Sequence, residues 1–187
     1  MPQIPSLPLN DGYALPQLGL GVWQVPGDLL PTLIPQAVGQ GCRLIDGAFI
    51  YGNEEAMGAG LRAAPVPREE LFVTTKIWNT DQGFDAARAA LEGSLRRIGL
   101  DYLDLVLIHW PCPGQDLYAE TWKTLVAPQT EGLVRSIGVS NFEPAHLDRI
   151  TAETGVVPAL NQVEIHPGLQ QSFLRAENAR RGIVTQS

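Results

Sequence analysis

Leu103-Asp104-Leu105-Val106-Leu107-Ile108-His109 is a short, nearly apolar run that stops on an ionisable residue. A run of this length, with no helical period, reads as a strand buried on both faces. The same punctuation occurs twice upstream. Cys42-Arg43-Leu44-Ile45-Asp46 ends on Asp46, and Leu71-Phe72-Val73-Thr74-Thr75-Lys76 ends on Lys76. Tyr51 follows Asp46 in the loop 48–54. Ionisable residues at the carboxyl ends of successive buried strands are how a β/α barrel assembles an active site from distant sequence.

Working outward, apolar runs and helical patterns alternate along the whole chain. Strand-like segments fall at 18–25, 42–46, 71–77, 103–110, 134–140, 158–165 and 182–187, with helix-like segments near 28–40, 53–63, 84–98, 116–126, 143–154 and 170–181. In 84–98, Ala87, Leu91, Leu95 and Ile98 share one face and Gly99 offers a C-cap. Asn10-Asp11-Gly12 between 5–9 and 13–17 predicts a β-hairpin. Asp46, Lys76, His109 and Ser140 are spaced by 30, 33 and 31 residues, close to one βαβ step of roughly 30 residues. Alternation alone also suits an open doubly wound sheet. The segment Gly19-Leu20-Gly21-Val22-Trp23-Gln24, however, has Gln where the dinucleotide fingerprint needs its third glycine. A TIM-type barrel is therefore the expectation.

A complete (β/α)8 barrel takes about 250 residues and eight strands, and this chain reaches Ser187 on its seventh. The expected fold is thus α/β, an incomplete barrel with an N-terminal hairpin, lacking strand eight and the last helix. No linker or low-complexity tract divides it, so residues 1–187 are expected to form a single domain. Open strand edges in such a chain predict poor stability or self-association.

Composition narrows the classes. A net charge of −7 with no basic stripe argues against nucleic-acid or anionic-membrane binding. The apolar runs are too short to span a bilayer, and residues 1–10 lack the basic start and apolar stretch of a signal peptide, so a cytoplasmic protein is expected. Cys42 and Cys112 have no metal-ligand spacing and read as free thiols.

The ionisable residues fit one task, giving a proton to a carbonyl oxygen. A phenol with a pKa of about 10 is a poor acid at neutral pH unless a nearby cation favours its anion. Lys76 could supply that cation to Tyr51, and Asp46 could hold Lys76 charged. Equally, Asp46 and Lys76 could form a structural ion pair at the barrel mouth. His109 could donate to a substrate carbonyl or be a satisfied core group; Trp23, Trp78 and Trp110 could wall a cleft or belong to the core. Other chemistries fit less well. His109, His146 and His166 form no metal-binding pair. A glycosidase pair of Asp46 and Glu164 would leave Lys76 and Tyr51 without a task.

Residues 41–54 (GCRLIDGAFIYGNE), 71–79 (LFVTTKIWN), 103–111 (LDLVLIHWP), 133–142 (LVRSIGVSNF) and 159–167 (ALNQVEIHP) resemble the successive signatures of the aldo-keto reductases. They are most similar to the bacterial 2,5-diketogluconate-reductase-like branch, and the resemblance runs from Leu7 to Ser187 at the family's spacing. It implies a (β/α)8 barrel that binds NADPH, with NADH possible, and reduces a small aldehyde or ketone to an alcohol as a monomer in full-length relatives. By this resemblance Tyr51 is the proton donor, Lys76 the residue that tunes it, Asp46 the partner of that lysine, and His109 the orienter of the carbonyl. Asp46, Ser140, Asn141 and Gln162 would contact the cofactor; Trp23, Ala48, Trp78, His109 and Trp110 would wall the substrate pocket. Departures from the pattern are Gly47 after the aspartate, expected to loosen that strand end, and Pro35 and Pro128, expected to kink or end their helices. In relatives an aromatic following the position of Ser187 stacks on the nicotinamide, and strand eight holds the adenosine 2′-phosphate. A non-catalytic remnant or binding module of the same fold is the alternative.

Overall fold

Residues 4–187 are described in a computed structural model; Met1 to Gln3, part of the stretch read above for a targeting signal, lie outside the described residues. A hairpin of β1 (Ser6–Pro8) and β2 (Ala14–Pro16) comes first. Strands and helices then alternate: β3 (Gly19–Gly21), α1 (Leu30–Gly39), β4 (Leu44–Asp46), α2 (Glu54–Arg62), β5 (Phe72–Ile77), α3 (Phe84–Ile98), β6 (Leu103–Ile108), α4 (Tyr118–Thr130), β7 (Val134–Ser140), α5 (Pro144–Thr154), β8 (Leu160–Gln162), α6 (Ser172–Arg180) and β9 (Val184–Gln186). The seven strands β3 to β9 form one parallel sheet in strict chain order. A doubly wound sheet reverses its strand order part-way, whereas a barrel does not. The sheet curls without closing, and β3 and β9 each leave one edge unpaired among the described residues.

Side chains alternate across the strands and split the core in two. Leu44, Phe72, Leu105, Leu107 and Leu160 face inward, where Leu9 and Leu15 of the hairpin cover one end of the interior. Ile45, Val73, Val106 and Val139 face outward beneath the helices, among Ile34, Leu91, Trp122 and Ile150. The hairpin is fastened to the far end of the chain by Asn10 Nδ2, which donates to the Pro158 carbonyl at 2.9 Å. Near that end, the fully buried Asp104 accepts from Arg68, Arg135 and the Val73 amide.

Neither proline ends its helix, which corrects that part of the expectation. Helix α1 runs through Pro35 to Gly39 and α4 runs through Pro128 to Thr130. Each helix is held by packing: Leu30, Ile34 and Val38 are buried along α1, and Trp122 and Leu125 along α4. That burial outweighs one missing amide donor, and Pro128 stands two residues from its helix end. Helices α2 and α3 approach closely, since a Cβ on Gly58 would sit 2.0 Å from the Ile98 carbonyl oxygen. Among the described residues, no helix is long and apolar enough to cross a membrane.

Candidate active site

Phe72, Thr74 and Lys76 share the inward face of β5, so Lys76 enters the interior at the strand's carboxyl end. Its side chain is fully buried. An ammonium carries three donors, and all three are used: to Asp46 Oδ2 at 2.8 Å, to the Gly47 carbonyl at 2.9 Å and to Tyr51 Oη at 3.3 Å. Asp46 closes the neighbouring strand β4, and its carboxylate offsets the cost of burying the charge.

Gly47 does not loosen the strand end. Its amide donates to the Thr74 carbonyl and its own carbonyl receives Lys76. A Cβ there would lie 2.8 Å from Met57 Sδ, so a larger residue would require the Met57 side chain to shift. Beyond it a single helical turn, Phe49–Tyr51, swings the phenol back over the lysine.

His109 follows β6, with its amide bonded to the Ile77 carbonyl. Its ring meets Tyr51 edge-on at 6.0 Å between centres and Trp78 edge-on at 4.9 Å. Burial, with the Lys76 charge adding to it, lowers the imidazole pKa to about 4, so the ring is neutral at neutral pH. His109 Nδ1 and Asp46 Oδ1 are buried without a hydrogen-bond partner among the described residues.

The opposite wall comes from the ends of β7, β8 and β9. Ser140 Oγ and the Asn141 amide both donate to the Gln162 carbonyl at 2.9 Å. Asn141, in the left-handed region at φ 62°, donates from Nδ2 to Ser140 Oγ and to the His109 carbonyl. Gln162 Nε2 donates to Gln186 Oε1 at 3.1 Å.

Between these walls is a cleft of about 670 Å3 lined by Asp46, Tyr51, His109, Ser140, Asn141, Gln162 and Trp23, among others. It continues down the seam between β3 and β9 to Leu7 and Leu15 of the hairpin. Its described lining contains no lysine or arginine. The catalytic and cofactor candidates named from the sequence are thus brought together. The pocket-wall set is dispersed. Trp23 lines the cleft but is two-thirds exposed, Ala48 is fully buried away from it, Trp78 touches it through His109, and Trp110 stands half-exposed outside its lining. Among the described residues, no group of three or more His, Cys, Asp or Glu could hold a metal ion.

Sequence reasoning missed Glu54, Thr75 and Arg97. Glu54 is buried and bonds both of the others. A threonine inside the apolar run of β5 was the available signal, whereas nothing in the pattern separates Glu54 from its exposed neighbour Glu55.

Residues 17–185 match the Aldo/keto reductase family. An aldo-keto reductase of Mycolicibacterium smegmatis is 48% identical over 183 residues, covering 98% of this chain and 66% of that protein. Methylglyoxal reductase DkgA of Salmonella typhimurium is 52% identical over 179 residues, covering 96% of this chain and 64% of that protein. The crystal structure of a Gox0644 mutant in complex with NADPH superimposes with a TM-score of 0.94 at 46% identity, over 100% of this chain and 67% of that one. The chain therefore spans about two thirds of the length of the relatives it matches. With this match over most of its length, and with seven parallel strands presenting the family's motifs at one sheet end, the chain belongs to the aldo/keto reductase family.

Proposed function

We propose that this chain carries the proton-donating and nicotinamide-facing part of an NADPH-dependent reductase of small carbonyl compounds, methylglyoxal among them. The observation that carries the reading is the buried Lys76 ammonium, shared between Asp46 and the Tyr51 oxygen. An ion pair serving stability alone has no need of a phenol as third partner at the floor of a cleft.

NADPH, when bound, supplies the hydride. The residues present suit its nicotinamide end: Ser140, Asn141 and Gln162 offer donors and acceptors for a carboxamide, and Asp46 Oδ1 still lacks a partner. Among the described residues, the lining has no lysine or arginine to meet its phosphates. Tyr51 gives its proton to the carbonyl oxygen, and the Lys76 charge stabilises the anion left behind. His109, neutral, directs an N–H toward the same oxygen and orients the carbonyl. The relative named methylglyoxal reductase and the NADPH-bound neighbour support the substrate and cofactor classes.

Tyr51→Phe is expected to lower methylglyoxal-dependent NADPH oxidation by about 10²–10⁴-fold, with NADPH binding, read by quenching of tryptophan fluorescence, unchanged. Turnover at the parent rate would remove Tyr51 from this role. The second reading is a binding module of the same fold without turnover. A chain that quenches on neither NADPH nor NADH would support it.

A further inference from the structure

We propose that Glu54 is a positioning residue that sets the separation of Tyr51 and Lys76 from the helix side of the sheet; this rests on the proton-transfer role proposed above for those two side chains. Glu54 opens α2, three residues after Tyr51, and its side chain is 2% exposed. One carboxylate oxygen accepts from Thr75 Oγ1 at 2.7 Å and the other from Arg97 Nε at 2.7 Å. Thr75 is the strand neighbour of Lys76, and alternation along β5 sends the two side chains to opposite faces. Arg97 arrives from α3, and its guanidinium carbon lies 4.6 Å from the centre of the Phe49 ring. Phe49 begins the single turn that ends at Tyr51.

One buried carboxylate therefore fastens the strand that carries Lys76 and, through Arg97, the turn that carries Tyr51. It lines no part of the cleft, so its effect on chemistry passes through these contacts. The Nζ–Oη separation of 3.3 Å is already at the long end of a hydrogen bond. A further shift of about half an ångström would break it.

The test compares the parent chain with Glu54→Gln, which keeps the shape and removes the charge, and Glu54→Asp, which restores it. With methylglyoxal and NADPH, Glu54→Gln is expected to lose about tenfold in kcat while both KM values stay within about twofold. The solvent deuterium isotope effect on kcat should rise, because proton transfer from Tyr51 becomes more limiting, and Glu54→Asp should recover part of the rate. A lower melting temperature with kcat and isotope effect unchanged would overturn the proposal, since only a structural role would remain. A crystal structure of Glu54→Gln gives a readout free of turnover. Tyr51 Oη beyond hydrogen-bonding reach of Lys76 supports positioning, and an unchanged separation refutes it. Absence of turnover in the parent chain would instead refute the carbonyl-reduction reading and leave the separation to decide this one. Should Glu54→Gln fail to fold, Thr75→Val removes the strand-side bond alone, with the same expectations.

Discussion

Lys76 and His109 share one small volume, and burial first, with the nearby ammonium second, keeps the imidazole neutral. The ammonium has three partners and no contact with water; the imidazole has burial and that positive charge against it, which together hold its pKa at about 4 rather than 6.5. Linkage turns this into a stability prediction. Above about pH 6.5 the ring is neutral in folded and unfolded chains alike. Between pH 6.5 and 4 the unfolded chain takes up a proton that the folded chain refuses, so stability falls as pH falls. Allowing for the ring's partial exposure, the loss attributable to His109 is about 1–2 kcal/mol. Urea unfolding at intervals from pH 7 to pH 4 should show this decline in the parent and a shallower one in His109→Gln. Equal slopes would mean that the ring is not excluded from protonation in the fold.

At the scale of elements, the contact between α2 and α3 holds Glu54 and Arg97 in register, and it depends on a glycine. Because a side chain at Gly58 would meet a backbone carbonyl that cannot step aside, Gly58→Ala is expected to lower the unfolding free energy by about 2–3 kcal/mol. Gly39→Ala, with open space around it, should change it by less than about 1 kcal/mol. Urea midpoints compare the two. Element positions were readable wherever a strong local signal existed. Helix α3 runs over 84–98 as its apolar face indicates, and Gly99, at φ 77°, caps it. Asp46, Lys76 and His109 were legible because an ionisable residue ending an apolar run contradicts its surroundings. Strands were less so. The runs at 18–25 and 158–165 give only Gly19–Gly21 and Leu160–Gln162, since regular pairing stops at the sheet's rim, where Leu18 and Trp23 lie exposed and Val22 and Val163 keep single backbone bonds to the next strand. Helix α4 passes the expected end at 126 because burial of Trp122 and Leu125 outweighs what the proline removes. The clamp around Glu54 left only the polar Thr75 in the pattern, because Glu54 meets its partners across 21 and 43 positions.

For the molecule as a whole, the strand order was legible from the 30-residue spacing, while the depth of the seam between β3 and β9 was not, because it depends on how far the sheet curls. The hairpin at the foot of that seam carries a consequence for timing. Strands β1 and β2 are made before the elements they pack on, for the surface they cover belongs to β4, β5, β6 and β8, and the Pro158 carbonyl that receives Asn10 lies 148 residues downstream. A two-stranded hairpin alone is marginally stable in water, and closing so long a loop comes late. In refolding followed by pulsed hydrogen exchange, the amides of Leu9 and Gln17, bonded to Tyr13 and Pro5, should gain protection after those of β5 and β6; earlier protection would mean that the hairpin stands by itself. A ribosome making this protein therefore releases its lid first and its vessel afterwards, and the lid must wait, exposed, until β8 has emerged.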